Sequence, residues 1–218
     1  MQSNRILDLI AQGEHTGQDF KLRIDSSKKI AITLSAFANT EGGCLLIGVK
    51  DNGKISGVRS SEEEFHMVNA AAEMYCNPPI KIIPELVKTG GKEVLIVEIP
   101  KNPEPVLALN PNEQWRAYLR FGDENFMANR VVLLSMKLSF EKSKPFELSP
   151  EHYTFLNEAA KREAFGFHFA QRKLRCNPRK TEYNLAQFIR WGILGYHLSG
   201  SKTNYFVRMI PDIADASH

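Results

Sequence analysis

Phe37-Ala38-Asn39-Thr40-Glu41-Gly42-Gly43-Cys44-Leu45-Leu46-Ile47-Gly48-Val49-Lys50-Asp51-Asn52-Gly53 changes character several times within one short stretch. It reads as a helix end, a tight turn, a buried strand and a second tight turn. Asn39 to Gly43 are residues that tolerate the left-handed backbone on which helices stop. Residues 44–49 form a continuous apolar run, the pattern of a buried strand. Asp51-Asn52-Gly53 is a hairpin-type turn, leading into a second strand over residues 54–58.

Working outward, Ile6, Leu7, Leu9 and Ile10 suggest a first helix that stops near Gly13. Residues 18–24 alternate, with Phe20, Leu22 and Ile24 on one face and Asp19, Lys21 and Arg23 on the other. Ser26-Ser27 caps a second helix, in which Ile30, Leu34 and Phe37 repeat at helical spacing. Downstream, Ser60 and Glu63 have capping-box spacing and open a helix carrying Phe65, Val68, Ala72 and Tyr75. Pro78-Pro79 prevents its continuation. Strands follow over residues 80–87, 93–99, 106–109 and 115–121, and a closing helix over 125–134. The expected class is α+β: one mixed sheet covered by helices.

Three segments carry a resemblance. They are Glu14-His15-Thr16-Gly17-Gln18-Asp19-Phe20-Lys21, Ser35-Ala36-Phe37-Ala38-Asn39-Thr40, and Gly42 to Gly53 as quoted above. In order and spacing they resemble the Schlafen-type AlbA-like domain, often labelled "divergent AAA" in bacterial regulators. The resemblance covers residues 5–135. It implies the same α+β class and points to nucleic-acid binding. In nuclease members of that family three acids at corresponding positions form the catalytic site, and here they fall on Glu14, Asp19 and Asp51. Asp19 stands where Glu is usual, one methylene shorter.

The residues themselves allow the same grouping. Thr16-Gly17 can turn the chain so that Glu14 and Asp19 converge, and Asp51 lies at the exit of the adjacent strand. Three carboxylates together would hold Mg²⁺ or Mn²⁺. The metal would activate water on a phosphodiester, with Lys21 on a phosphate. The alternatives are that Asp51 is a turn residue and that Glu14 and Asp19 are ion-paired to Lys21 or Arg23. No Gly-x4-Gly-Lys-Ser/Thr run is present, so ATP hydrolysis is not expected. The histidines form no catalytic set.

The division expected is a sheet domain at 1–136, a polar, proline-containing linker at 137–149, and a smaller unit at 150–218. In that unit, helices are expected over 150–162 and 181–191, with Phe165, Phe167 and Phe169 alternating as a strand or bent segment. A hairpin follows, with residues 192–198 and 205–209 flanking the turn Ser199-Gly200-Ser201-Lys202. Helix followed by basic hairpin resembles the end of a winged helix-turn-helix. The alternative is a small helical cap on the sheet domain. Arg172, Lys173, Arg175, Arg179 and Lys180 fall close together with no acid among them. With Lys21, Arg190 and Lys202 they make the expected nucleic-acid-contact set, giving affinity without sequence choice. Trp115, Tyr118, Trp191 and Tyr205 lie beside cations and are candidates for base stacking.

The net charge is only +3, but its distribution is uneven. Residues 144–218 hold eleven Lys/Arg and seven Asp/Glu, so the basic excess is C-terminal. No run approaches the roughly 18 apolar residues of a membrane span. There is no signal-peptide pattern, and a cytoplasmic location is expected. Cys44, Cys76 and Cys176 are scattered, as buried free thiols would be. The leading expectation is a nucleic-acid-binding protein, a DNA-binding transcriptional regulator, with RNA as the second class of partner. A homodimer suits paired DNA-binding helices. The alternatives are a metal-dependent endoribonuclease and a ligand- or partner-binding module.

Overall fold

The computed structural model describes residues 2–141, 146–199 and 202–211, apart from the side chains of residues 2–4. Residues 142–145 of the expected linker and 200–201 of the expected hairpin turn lie outside the described residues. The class is α+β. The chain divides into two units, Met1–Met127 and Ala128–His218. This division falls ahead of the expected 136.

In the first unit α1 (Gln2–Gln12) leads to β1 (Gln18–Lys21), α2 (Ser27–Asn39) and β2 (Gly43–Ile47). Parallel strands need a crossover, and α2 supplies it: β1 pairs β2 in parallel, with Asp19 opposite Leu45. Then come α3 (Ser61–Met74), β3 (Cys76–Asn77), β4 (Ile83–Thr89) and β5 (Lys92–Ile99). β6 (Leu107–Leu109), β7 (Trp115–Phe121) and β8 (Glu124–Met127) complete the unit.

The strands form two sheets, not the single one expected: β1-β2-β5-β4, mixed, and β3-β6-β7-β8, antiparallel. Residues 54–58 form no strand and make one isolated bridge, Val49 to Ile55. The closing helix expected over 125–134 is instead a strand, β8, followed by a helix that starts at Arg130. β8 takes its pairing from β7, with Arg120 opposite Asn125.

The apolar run of β2 is explained by burial on both faces. Leu45 and Ile47 join Leu34, Phe37, Val97, Val106 and Tyr118 in the main core. Leu46 faces the other way, with Ile6, Phe20, Val87 and Ile96. Alternate side chains of one strand thus enter different cores.

The second unit comprises α4 (Arg130–Phe140), α5 (Pro150–Ala159), α6 (Phe167–Leu174) and α7 (Pro178–Arg190), then β9 (Leu194–Ser199) and β10 (Lys202–Val207). Val131 and Leu138 of α4 pack with Phe155, Leu185 and Phe188, which places α4 in this unit. Phe165, Phe167 and Phe169 do not form a strand. Phe165 makes a bridge to Tyr205, Gly166 caps α6, and Phe167 and Phe169 lie on that helix. Phe165 meets Phe155 edge-on at 5.6 Å, and Phe155 stacks on Phe188 at 5.9 Å. That aromatic packing outweighs the two-residue alternation.

The Gly42-Gly43 turn is where close approach decides residue type. Gly42 has φ +80°, and a Cβ on Gly43 would lie 2.2 Å from the Phe37 ring. Phe37 is fully buried, so its ring cannot swing aside into solvent. Gly43→Ala is expected to destabilise the first unit by about 1–3 kcal/mol through overpacking. Urea unfolding measures it, and an unchanged midpoint would show that the turn accommodates a methyl group.

Candidate functional site

The first acidic motif folds into a tight turn rather than a continuing strand. His15 and Gln18 exchange backbone hydrogen bonds at 3.1 and 3.0 Å. His15 Nδ1 accepts from the Gly17 N–H at 3.0 Å. Buried Gln18 donates to the carbonyls of Leu9 and Gly13, tying the turn to the end of α1. Thr16-Gly17 therefore does bring Glu14 back alongside Asp19.

The centre of this turn is Arg120, which β7 carries into the interior. It is 1 % exposed, and Asp19 is 4 % exposed. Arg120 Nη2 donates to Asp19 Oδ1 at 2.9 Å and to the Gln18 carbonyl at 3.2 Å. Nε donates to the His15 carbonyl at 3.3 Å and Nη1 to Asn125 Oδ1 at 3.1 Å. The guanidinium carbon lies 5.0 Å from the centre of the Phe37 ring. One buried cation thus joins the acidic turn, the β7–β8 pair and the end of α2. The residue's sequence signal was its parity: Arg120 shares a strand face with buried Tyr118.

Asp19 Oδ2 lies 2.6 Å from Lys21 Nζ. It nevertheless accepts no hydrogen bond of normal geometry from the protein. The contact is an ion pair by proximity, while Nζ donates to the Phe20 carbonyl at 2.9 Å. Glu14 Oε1 accepts from the Phe20 N–H at 2.9 Å. Burial raises the Glu14 carboxyl above its ordinary range, and Asp19 raises it further as hydrogen-bond partner and like charge. The Phe20 N–H and Lys21 pull the other way.

Asp51 does not join this pair. It is exposed in the turn after β2. Among the described residues no three Asp, Glu, His or Cys side chains come together as metal ligands. Asp19 is ion-paired with Arg120 and Lys21. The grouping of Glu14, Asp19 and Asp51 for Mg²⁺ or Mn²⁺ therefore meets only in its first two members. Lys21 lies beside Asp19 and bonds the Phe20 carbonyl.

The Ser-Ala-Phe-Ala-Asn-Thr segment is structural. Asn39 Nδ2 donates to the carbonyls of Val106 and Tyr118 at 2.8 and 2.9 Å, and its Oδ1 accepts from the Val106 N–H at 2.8 Å. Thr40 Oγ1 accepts from the Arg120 N–H at 3.0 Å. These bonds fasten the end of α2 to the second sheet. Cys44 and Cys76 are free thiols that burial pushes up to about 12. A thiol held protonated in this way is a poor nucleophile.

The basic set lies at the α6–α7 corner of the second unit. Arg172 and Lys173 occupy the last turn of α6, and Arg175 ends it with a left-handed φ of 50°. Asn177 caps α7, accepting from the Lys180 N–H at 2.9 Å. Arg179 and Lys180 follow in its first turn, which contains no acid. All five cations are exposed. Arg162, Arg172, Lys173 and Arg175 line a groove of about 670 Å³ with Glu151 and Glu158. Lys173 is 2.5 Å from Glu158, and Arg162 lies 4.4 Å from the Phe169 ring. Exposed Lys202 opens β10. The Arg190 guanidinium lies 5.1 Å from the ring of Trp191, which is 47 % exposed. Tyr118 and Tyr205 are buried and offer no stacking face.

The family described as Schlafen, AlbA_2 matches residues 14–129. No curated protein matches the chain. Among solved structures, the DIP2311 protein of Corynebacterium diphtheriae is similar with a TM-score of 0.45 and 15 % identity. The match covers 72 % of this chain but only 38 % of that one. The N-terminal domain of a RecG-related protein from Nitrosomonas europaea is similar with a TM-score of 0.39 and 24 % identity over 46 % of this chain and 72 % of that one. Both TM-scores are below 0.5, so the family match alone places the chain. No described helix is long and apolar enough to cross a membrane.

Two stability measurements test the acidic turn. Asp19→Asn leaves a buried guanidinium without its counter-charge and is expected to cost about 3–5 kcal/mol in urea unfolding. A cost well under 1 kcal/mol overturns the central role of this ion pair. Glu14 has the opposite sign. Its folded-state pKa is raised, so its contribution is complete below the unfolded value and drains away as pH rises through the folded value. Glu14→Gln keeps an oxygen for the Phe20 N–H. It is expected to raise the melting temperature at neutral pH, with the difference closing in acid. A lower melting temperature at neutral pH contradicts this.

Proposed function

The chain belongs to the Schlafen AlbA_2 family, and from that premise we propose that it binds nucleic acid through its second unit, as a DNA-binding regulator of transcription. The observation that carries the reading is the five exposed cations of the α6–α7 corner. Arg179 and Lys180 stand at the positive end of α7, where the macrodipole disfavours them. Cations placed there suit a surface whose other half is a phosphate chain.

The order of elements supports the same reading. α6 and α7 are joined by the three residues Arg175 to Asn177, and a hairpin follows α7. In a winged helix-turn-helix the second helix of such a pair presents its N-terminal residues to the major groove. Here those residues are Arg179, Lys180 and exposed Tyr183. The first unit, pinned by Arg120, would serve as the scaffold, with regulatory ligand binding or self-association as its further role.

Fluorescence anisotropy with labelled duplex DNA over a salt series tests this. Binding through about five phosphate contacts is expected to weaken by two to three orders of magnitude between roughly 50 and 200 mM salt. Arg175→Glu with Lys180→Glu should abolish it, while Asp51→Asn should leave it intact. The same samples on a denaturing gel with Mn²⁺ probe the nuclease alternative. Cleavage lost in Asp51→Asn would replace the regulator reading. No binding at low salt would overturn nucleic-acid binding itself.

A further inference from the structure

The two faces of the β9–β10 hairpin differ. Tyr196, Tyr205, Leu194 and Val207 pair across one face, where Tyr205 and Leu194 are buried. The other face pairs Gly195 with Phe206, His197 with Asn204 and Ser199 with Lys202. On it, His197, Ser199, Lys202 and Asn204 are exposed.

This outer face is built around a missing side chain. A Cβ on Gly195 would lie 2.2 Å from Phe206 Cζ and 2.7 Å from Arg208 Nε. The aromatic ring and the guanidinium both fill the space the glycine leaves open. His197 stacks on the Phe206 ring, with centroids 4.6 Å apart and planes 22° apart. Arg208 lies 5.8 Å from the same ring. An aromatic ring covering a cross-strand glycine stabilises a hairpin by itself. That accounts for Phe206, but not for an exposed imidazole stacked on it or for an arginine beside it. The charge is one-sided as well: residues 183–211 contain Arg190, Lys202 and Arg208 and no Asp or Glu.

Resting on the nucleic-acid reading above, we propose that this face is a stacking platform for an unpaired base, with Lys202 and Arg208 on the flanking phosphates. The preferred ligand is then nucleic acid with single-stranded character. Planar side chains and arginine offer their faces to planar partners. A paired duplex hides its base faces except at its ends, so a stacking face has use only where bases are unpaired. Asn204, opposite His197, is placed to hydrogen-bond the edge of such a base.

The test compares three anisotropy probes: a blunt DNA duplex, the same duplex with an oligothymidine tail, and the duplex with an abasic tail of equal length. The base-carrying tail is expected to strengthen binding by roughly 5- to 150-fold over the abasic one, the range of one stacked base. His197→Ala, at an exposed position, should erase that gain and leave blunt-duplex binding unchanged. Gly195→Ala, which displaces the ring, should do the same. An oligouridine tail in parallel separates RNA from DNA. Equal binding of the base-carrying and abasic tails, or a gain that survives His197→Ala, overturns the platform while leaving duplex binding standing. Failure to bind any probe overturns the nucleic-acid reading as well.

Discussion

Burying a guanidinium costs several kcal/mol unless its charge and its donors are all answered. In the first unit Arg120 is answered by Asp19, by two carbonyls of the acidic turn and by Asn125. Those partners come from two separate pieces of local structure, the acidic turn at residues 15–19 and β8. The turn after α1 must close, β8 must pair with β7, and α2 must end where Thr40 meets the Arg120 N–H. Failure of the turn leaves the Arg120 charge uncompensated in the interior, and failure of either of the others leaves one of its N–H donors unpaired. This cooperative demand fixes the turn that brings Glu14 beside Asp19. It also directs the Asp19 carboxylate inward, with Oδ1 on Arg120 and Oδ2 beside Lys21.

The same constraint separates two roles that the sequence places in one motif. An acid triad aimed at a metal needs free oxygens and a common focus. Asp19 is paired with Arg120 and Lys21, and among the described residues no third carboxylate joins it and Glu14. The acidic segment is thus better described as a structural clasp. Surface chemistry in the second unit is of the opposite kind. Its cations at the α6–α7 corner are exposed and arranged around a short interhelical turn, and two of them, Arg179 and Lys180, are unhelpful to α7 by their position at its positive end. Residues that weaken their own helix are understandable when an anionic partner is part of the completed structure.

Much of the fold is legible in the chain. The two-sided burial of β2 appears as an unbroken apolar run, the starts of α2 and α3 appear as Ser26 and Ser60, and the strand pair β4–β5 appears as two runs around Gly90-Gly91, whereas α7 begins at Pro178, ahead of the expected 181. Less legible is how strands are shared between sheets. A sheet assignment depends on which edges meet, and local pattern carries no record of that. Phe165, Phe167 and Phe169 show the same limit: their spacing suits a strand, but packing on Phe155 and Phe188 favours a bridge followed by a helix.

The sequence by itself determined the family, the α+β class, the acidic and glycine-rich motifs and the basic excess of the C-terminal third. These are properties of residue type and spacing. Only the tertiary structure decided that Arg120 is the partner of Asp19, that Asp51 stands apart, and that His197, Phe206 and Arg208 gather over Gly195. Each is a contact between segments distant along the chain or facing across strands. Such contacts are selected by burial and by the need to answer every charge and donor removed from water.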